Sequence, residues 1–215
     1  MYFGGRRANG LAAAVRSPRS WVIALTVVGV VGGALAISRA TETRWQAGTP
    51  VSRLGVDHGA AGTVTFTLLG LGIILLALGV SLHLTLTTLP SAGRLHPRAE
   101  RLLPLGFLVA GIAVAVAGLF PIDTRPSTTI HNVAGFAMPV ALMATMLGAR
   151  LALGSLGRRF DQASVLILVG VIGLFLVSTR LQLLPYGLME LVCMGLIGAW
   201  LWLFEARLRH LTGEV

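Results

Sequence analysis

Lysine is absent, cysteine occurs once and charged side chains make up only 12% of the 215 residues. Each scarcity excludes something. A single cysteine, Cys193, makes no internal disulfide and no thiolate metal cluster. Its place inside an apolar stretch reads as a small packing residue. A charged fraction about half that of an ordinary soluble domain leaves too little polar surface to cover a soluble fold of this size. No Gly-rich phosphate loop, no His-Glu-x-x-His and no nucleophile elbow occurs, so the common signatures of nucleotide binding, zinc hydrolysis and serine hydrolysis are missing. All 17 cations are arginines, a composition that fits GC-rich codon usage.

What is present is hydrophobic: 55% of the residues, with a mean hydropathy of +0.83. Crossing a bilayer takes roughly 20 mostly apolar residues. Six stretches meet that length: Trp21–Ser38, Gly62–Leu84, Leu102–Phe120, Ile130–Leu153, Ala163–Thr179 and Leu183–Phe204. The expectation is an all-α membrane protein, a bundle of six transmembrane helices spanning residues 21–204. A basic N-terminal segment (1–20) and a short tail (205–215) flank it. The first stretch follows basic residues as a signal peptide would, but its apolar core is longer than the typical 7–15 residues, so it reads as a retained helix.

The net charge of +9 reads as topology, not as nucleic-acid binding. Cytoplasmic loops of membrane proteins collect basic residues. Twelve arginines fall in the N-terminal segment, in or beside the second and fourth connections, and in the tail; five fall in the other three connections. This predicts both termini in the cytoplasm, and a bacterial plasma membrane as the location. The lipid bilayer is the expected partner, and the basic inner rim would attract anionic headgroups. Lipid headgroups or another membrane protein are the further partners considered.

Small residues punctuate the apolar stretches. Gly29 and Gly33 share one face of the first, Gly70, Gly72 and Gly79 lie in the second, and Ala137, Ala141 and Thr145 are spaced by four in the fourth. Without a hydrophobic drive between helices in lipid, such residues allow close backbone approach. Pro139 is expected to kink the fourth helix.

With both termini inside, the first, third and fifth connections face outward. They carry Asp57 and His58, then Asp123, His131 and Asn132, then Arg180. Glu190 lies roughly 7–8 Å below the start of the last helix. A carboxylate at that depth needs a partner or water, and Arg180 is the first choice, His131 or His58 the second. Thr128 or Thr129 is expected to cap the fourth helix, with His131 in its first turn and within hydrogen-bonding reach of Asp123. These residues predict an outer polar pocket of Asp57, His58, Asp123, His131, Asn132, Arg180 and Glu190. Its mixed charge suits a lipid headgroup, a small polar solute or a partner protein. The plain alternative is an ordinary wet interface, polar because water is there.

The stretch GLFPIDTRPSTTIHNVAGF (118–136) resembles the turn between helices three and four in the bacterial family called domain of unknown function 998, and VSRLGVDHGAAGTVTFTLLGLGI (51–73) resembles that family's first outer loop. The resemblance rests on Ser52, Leu54, Gly55, Phe120, Pro121, Asp123 and His131. It implies a six-helix membrane protein and assigns no activity. The last helix departs from the family pattern: Leu191, not arginine, follows Glu190. A more distant resemblance to DRAM-type membrane proteins implies a role in lipid distribution.

Two other chemistries use the same outer residues. A membrane-embedded metal-dependent hydrolase would take His58, His131 and either Asp123 or Asp57 as ligands and leave one position open for water. A haem protein would use His58 and His131 as axial ligands, or His83 with His96 nearer the inner face. By residue type alone, Ser127, His131 and Asp123 also form a possible triad. No cofactor is identified, and nothing in the pattern requires a reaction.

Overall fold

A computed structural model describes residues 17–41, 61–88, 97–120, 122, 124–152 and 157–212. They form six helices: α1 (Pro18–Thr41), α2 (Ala61–Thr88), α3 (Pro97–Leu119), α4 (Arg125–Ala152), α5 (Arg158–Thr179) and α6 (Tyr186–Thr212). All six are long and apolar enough to cross a membrane. The chain is therefore an all-α, six-helix membrane bundle. Sequence neighbours pack side by side, α3 most extensively against α2 and α4. Lighter contacts of α6 with α1 and of α4 with α5 close the ring. The α3–α4 and α5–α6 turns share one end, the turn end. The first turn of α1 and the last turn of α6 lie at the other, the termini end.

The helices carry weak one-sided patterning because lipid, not water, faces their outer surfaces; apolar side chains belong on every face. The order within the bundle comes from packing. Its core is weighted toward the termini end: Leu82, Leu103, Phe107, Met146, Phe160, Trp200 and Phe204 are all buried there. Trp200 stacks on Phe204 with centroids 5.2 Å apart, and Phe107 meets Phe204 at 6.2 Å. The indole Nε1 of Trp200 donates to Ser164 Oγ at 3.0 Å, tying α6 to α5. On the outside of the ring, Trp202 Nε1 donates to Thr26 Oγ1 at 2.9 Å and ties α6 to α1. The buried Trp200 indole N–H needs its partner, since an unmade bond in an apolar interior costs more than a made one gains.

Glycine sets how close α2 and α3 come. A Cβ at Gly72 would lie 2.8 Å from the Gly111 carbonyl oxygen, and one at Gly111 would lie 2.8 Å from that of Gly72. Gly79 and Gly118 extend the same seam by two turns. In helix four the expected small-residue row has a definite partner, for Thr145 packs directly on Gly106 of α3. The expectation for α1 needs correcting. Gly33 has open space where a side chain would be, and it is Gly32 that abuts Thr67 of α2.

Two boundaries also differ from the apolar runs. Helix α4 begins at Arg125, five residues before Ile130, because Pro126 in its first turn sacrifices an N–H that has no intrahelical acceptor anyway. Thr124, not Thr128 or Thr129, holds the capping position: its carbonyl accepts the Thr128 N–H at 2.8 Å. The Thr129 hydroxyl instead donates within the helix to the Arg125 carbonyl. Helix α6 continues past Phe204 to Thr212, so Glu205 lies inside it. Helix α4 runs through Pro139 without a break.

Candidate functional site

The turn end is built by the first turns of α4 and α6 and the last turns of α3 and α5. Asp57, His58 and Asp123 lie outside the described residues, as does His96. His131, Asn132, Arg180 and Glu190 are described, and the structure does not draw them into one cluster of contacts.

His131 turns into the bundle. It is 5% exposed, and its Nδ1 lies 2.8 Å from the Ala117 carbonyl oxygen and 3.0 Å from that of Phe120. The last carbonyls of a helix have no intrahelical donor. A ring nitrogen facing two carbonyl oxygens must carry a proton, so Nδ1 is the donor. His131 thus closes the end of α3 from α4 and fixes the geometry of the turn between them. The positive edge it presents also suits the negative end of the α3 dipole. A ligand of a metal or haem iron would have to bind through Nε2. Of the four residues weighed for the hydrolase site, only His131 falls among those described, and they hold no group of three or more His, Cys, Asp or Glu able to bind a metal ion.

Asn132, one residue on, is exposed. Arg180 ends α5: its backbone N–H donates to the Leu176 carbonyl at 2.9 Å, and its side chain is exposed. The chain then reverses through Gln182, which adopts φ 54°, and Ser178 Oγ donates to the Leu184 carbonyl at 3.0 Å. Glu190 is half-buried on the second turn of α6, on the face it shares with Tyr186 and Cys193 at spacings of four and three. Arg180 and Glu190 form no ion pair with each other. The tight turn at Gln182 fixes the end of α5 and sends its arginine outward, not down along α6.

An ion pair lies at the opposite end, between Glu205 and Arg209 one turn apart on α6. Arg209 Nε lies 2.9 Å from Glu205 Oε1. Glu205 is 2% exposed, and neither carboxylate oxygen accepts a well-aimed hydrogen bond among the described residues. The contact is therefore close in distance but not in direction: charge attraction without a directed bond. Sequence reading by hydropathy placed Glu205 in the tail. The signal that finds it is the i, i+4 pairing of Glu205 with Arg209 on the helix face that carries Leu201, Phe204 and Leu208. Glu205 is thus a buried carboxylate within the last span, a residue type that is costly in a membrane interior.

Residues 78–206 match the model of a family described as a protein of unknown function, DUF998. Neither a curated protein nor a solved structure matches the chain. The matched region runs from the second half of α2 to residue 206 on α6, and so includes the His131 clamp, Glu190 and Glu205. The chain belongs to the DUF998 family of multi-pass membrane proteins.

Proposed function

We propose that the protein works without catalysis, as a membrane receptor site for a polar or zwitterionic ligand at the turn end of the bundle. The reading places that end outside the cell and both termini in the cytoplasm of a bacterium. The arginine bias along the sequence supports this orientation, with twelve in or beside the N-terminal segment, the second and fourth connections and the tail, and five in the other connections. The residues proposed to meet the ligand are Glu190, Arg180 and Asn132, with Asp57, His58 and Asp123 as the sequence candidates from the first and third connections. His131 holds the scaffold beneath them.

One observation carries the reading. Glu190 is a half-buried carboxylate inside a membrane span, and ionisable residues kept at such depth face an interior or a wet cavity and mark functional sites by default. A site that offers carboxylate, guanidinium and amide groups together recognises a ligand carrying both charges or several hydrogen-bonding groups. A lipid headgroup is the form of such a ligand that the bilayer itself supplies.

The test is to extract the full chain together with surrounding lipid in polymer nanodiscs and identify what travels with it by mass spectrometry. The wild type should carry a small polar molecule or a distinct lipid class that Glu190→Gln loses while melting at the wild-type temperature. An identical complement in both proteins would overturn the reading. So would a Glu190→Gln protein that fails only through lost stability.

A further inference from the structure

The seam between α3 and α4 is open along the surface that turns away from the bundle. Val109, Ile112 and Val116 of α3 and Thr129, Val133 and Ala137 of α4 line a groove of about 390 Å3. That volume is within the roughly 300–1,000 Å3 of small-molecule sites. The small side chains Ala113 and Ala134 make its floor, and the larger residues on either side make its walls. The walls face outward: Val133 is 66% exposed and Ile112 56%. Every lining residue falls within two candidate membrane spans, Arg101–Leu119 and Arg125–Arg150, so the groove faces the bilayer.

The groove has a direction and a length. It begins near mid-helix at Val109 and Ala137 and ends at Thr129, close to the turn end. Thr129 to Ala137 is about 12 Å of helix, against about 15 Å for half the apolar thickness of a bilayer. Arg125 stands one turn above Thr129, exposed, at the first position of α4. A trough one leaflet deep with a cation at its polar end matches the chemistry of a single lipid. We infer that this groove binds one acyl chain of an anionic glycerophospholipid, with the phosphate against the Arg125 guanidinium. A helix from a second copy fits less well. It would need a seam through both leaflets, and the groove stops at Ala137. Beyond that point the small-residue row turns inward, with Ala141 buried and Thr145 packed on Gly106 of α3. The site is lined by α3 and α4 alone and does not depend on Glu190.

The experiment is native mass spectrometry of the detergent-purified full chain titrated with phosphatidylglycerol and, separately, phosphatidylcholine of the same chains. The wild type should retain one phosphatidylglycerol more tightly than phosphatidylcholine. Arg125→Gln should lower phosphatidylglycerol retention about fivefold, toward the phosphatidylcholine level, since a guanidinium–phosphate contact is the charge-assisted kind. Ala137→Phe, which fills the inner end of the groove, should abolish retention of both lipids while the melting temperature stays near wild type. Glycerol phosphate, which has the headgroup charge and no chain, should not compete. Glu190→Gln should bind phosphatidylglycerol as the wild type does, which separates this site from the polar pocket. Equal retention by wild type and Ala137→Phe would overturn the proposal. So would competition by glycerol phosphate, or a wild-type dimer that Ala137→Phe converts to monomer.

Discussion

His131 Nδ1 lies 2.8 Å from the carbonyl oxygen of Ala117, fourteen residues earlier in the chain. One side chain therefore joins the start of α4 to the end of α3 and satisfies carbonyls that the helix leaves without donors. His131→Ala removes the Nδ1 donor from both of those oxygens. The expected loss is about 2–4 kcal/mol, from the lost hydrogen bonds and the void together. His131→Asn keeps an N–H donor on a shorter side chain and should recover part of it. Thermal melting in detergent ranks the three proteins. If His131→Ala melts with the wild type, the clamp does not contribute.

Gly72 and Gly111 set the α2–α3 distance, so a methyl group at either should force the helices apart. Gly111→Ala meets the Gly72 carbonyl oxygen and the Leu76 backbone nitrogen, each 2.8 Å from the new Cβ. Overpacking of this kind costs about 1–3 kcal/mol. Gly33→Ala is the internal control, with nothing within 4 Å of its new methyl. It should be neutral or gain up to about 1 kcal/mol from helix propensity. Similar losses at both positions would mean that backbone approach is not what glycine provides in this seam.

Glu205 and Arg209 should be coupled. Arg209→Ala leaves a buried carboxylate without its counter-charge, a change that costs roughly 3–5 kcal/mol when both partners are fully buried. Arg209 is about one-third exposed (34%), so the loss should fall below that range. Replacing the two together, Glu205→Met with Arg209→Leu, removes the charge and the need for it. That protein should be markedly more stable than Arg209→Ala alone. A double-mutant cycle in unfolding free energy reads the coupling, and additive effects would show that the pair is incidental.

The orientation can be read directly. In a Cys193→Ala background, a cysteine placed at Ser155, in the α4–α5 connection, should be blocked by membrane-permeant thiol reagents and spared by impermeant ones in intact cells. Labelling by the impermeant reagent from outside would reverse the proposed topology.

Six membrane-spanning helices were legible from composition alone, because crossing a bilayer demands a length and an apolarity that few other structures share. The resemblance carried by Phe120, Pro121, Asp123 and His131 was enough to place the family. The ends of the helices were less legible. Hydropathy gave α4 a late start at Ile130 and stopped the last span at Phe204. A first turn holding Arg125 and Pro126, or the final two turns holding Glu205 and Arg209, are helical through hydrogen bonds that a hydropathy count does not register.

Tertiary structure decided the roles of individual polar residues. In the sequence, His131 and Glu205 are a titratable group beside a turn and an acid in a tail. Only the packing of α4 on α3 shows that the imidazole finds two carbonyls, and only the continuation of α6 shows that the carboxylate is buried. The same limit applied to the glycines: their number implied close helix contacts, but Gly32 and Gly33 differ by one residue and thus by about 100° around the helix. Length and apolarity are sums over a segment, and the sequence by itself determines them. Which face of a helix meets which neighbour is a matter of angle and register, and only the assembled bundle decides it.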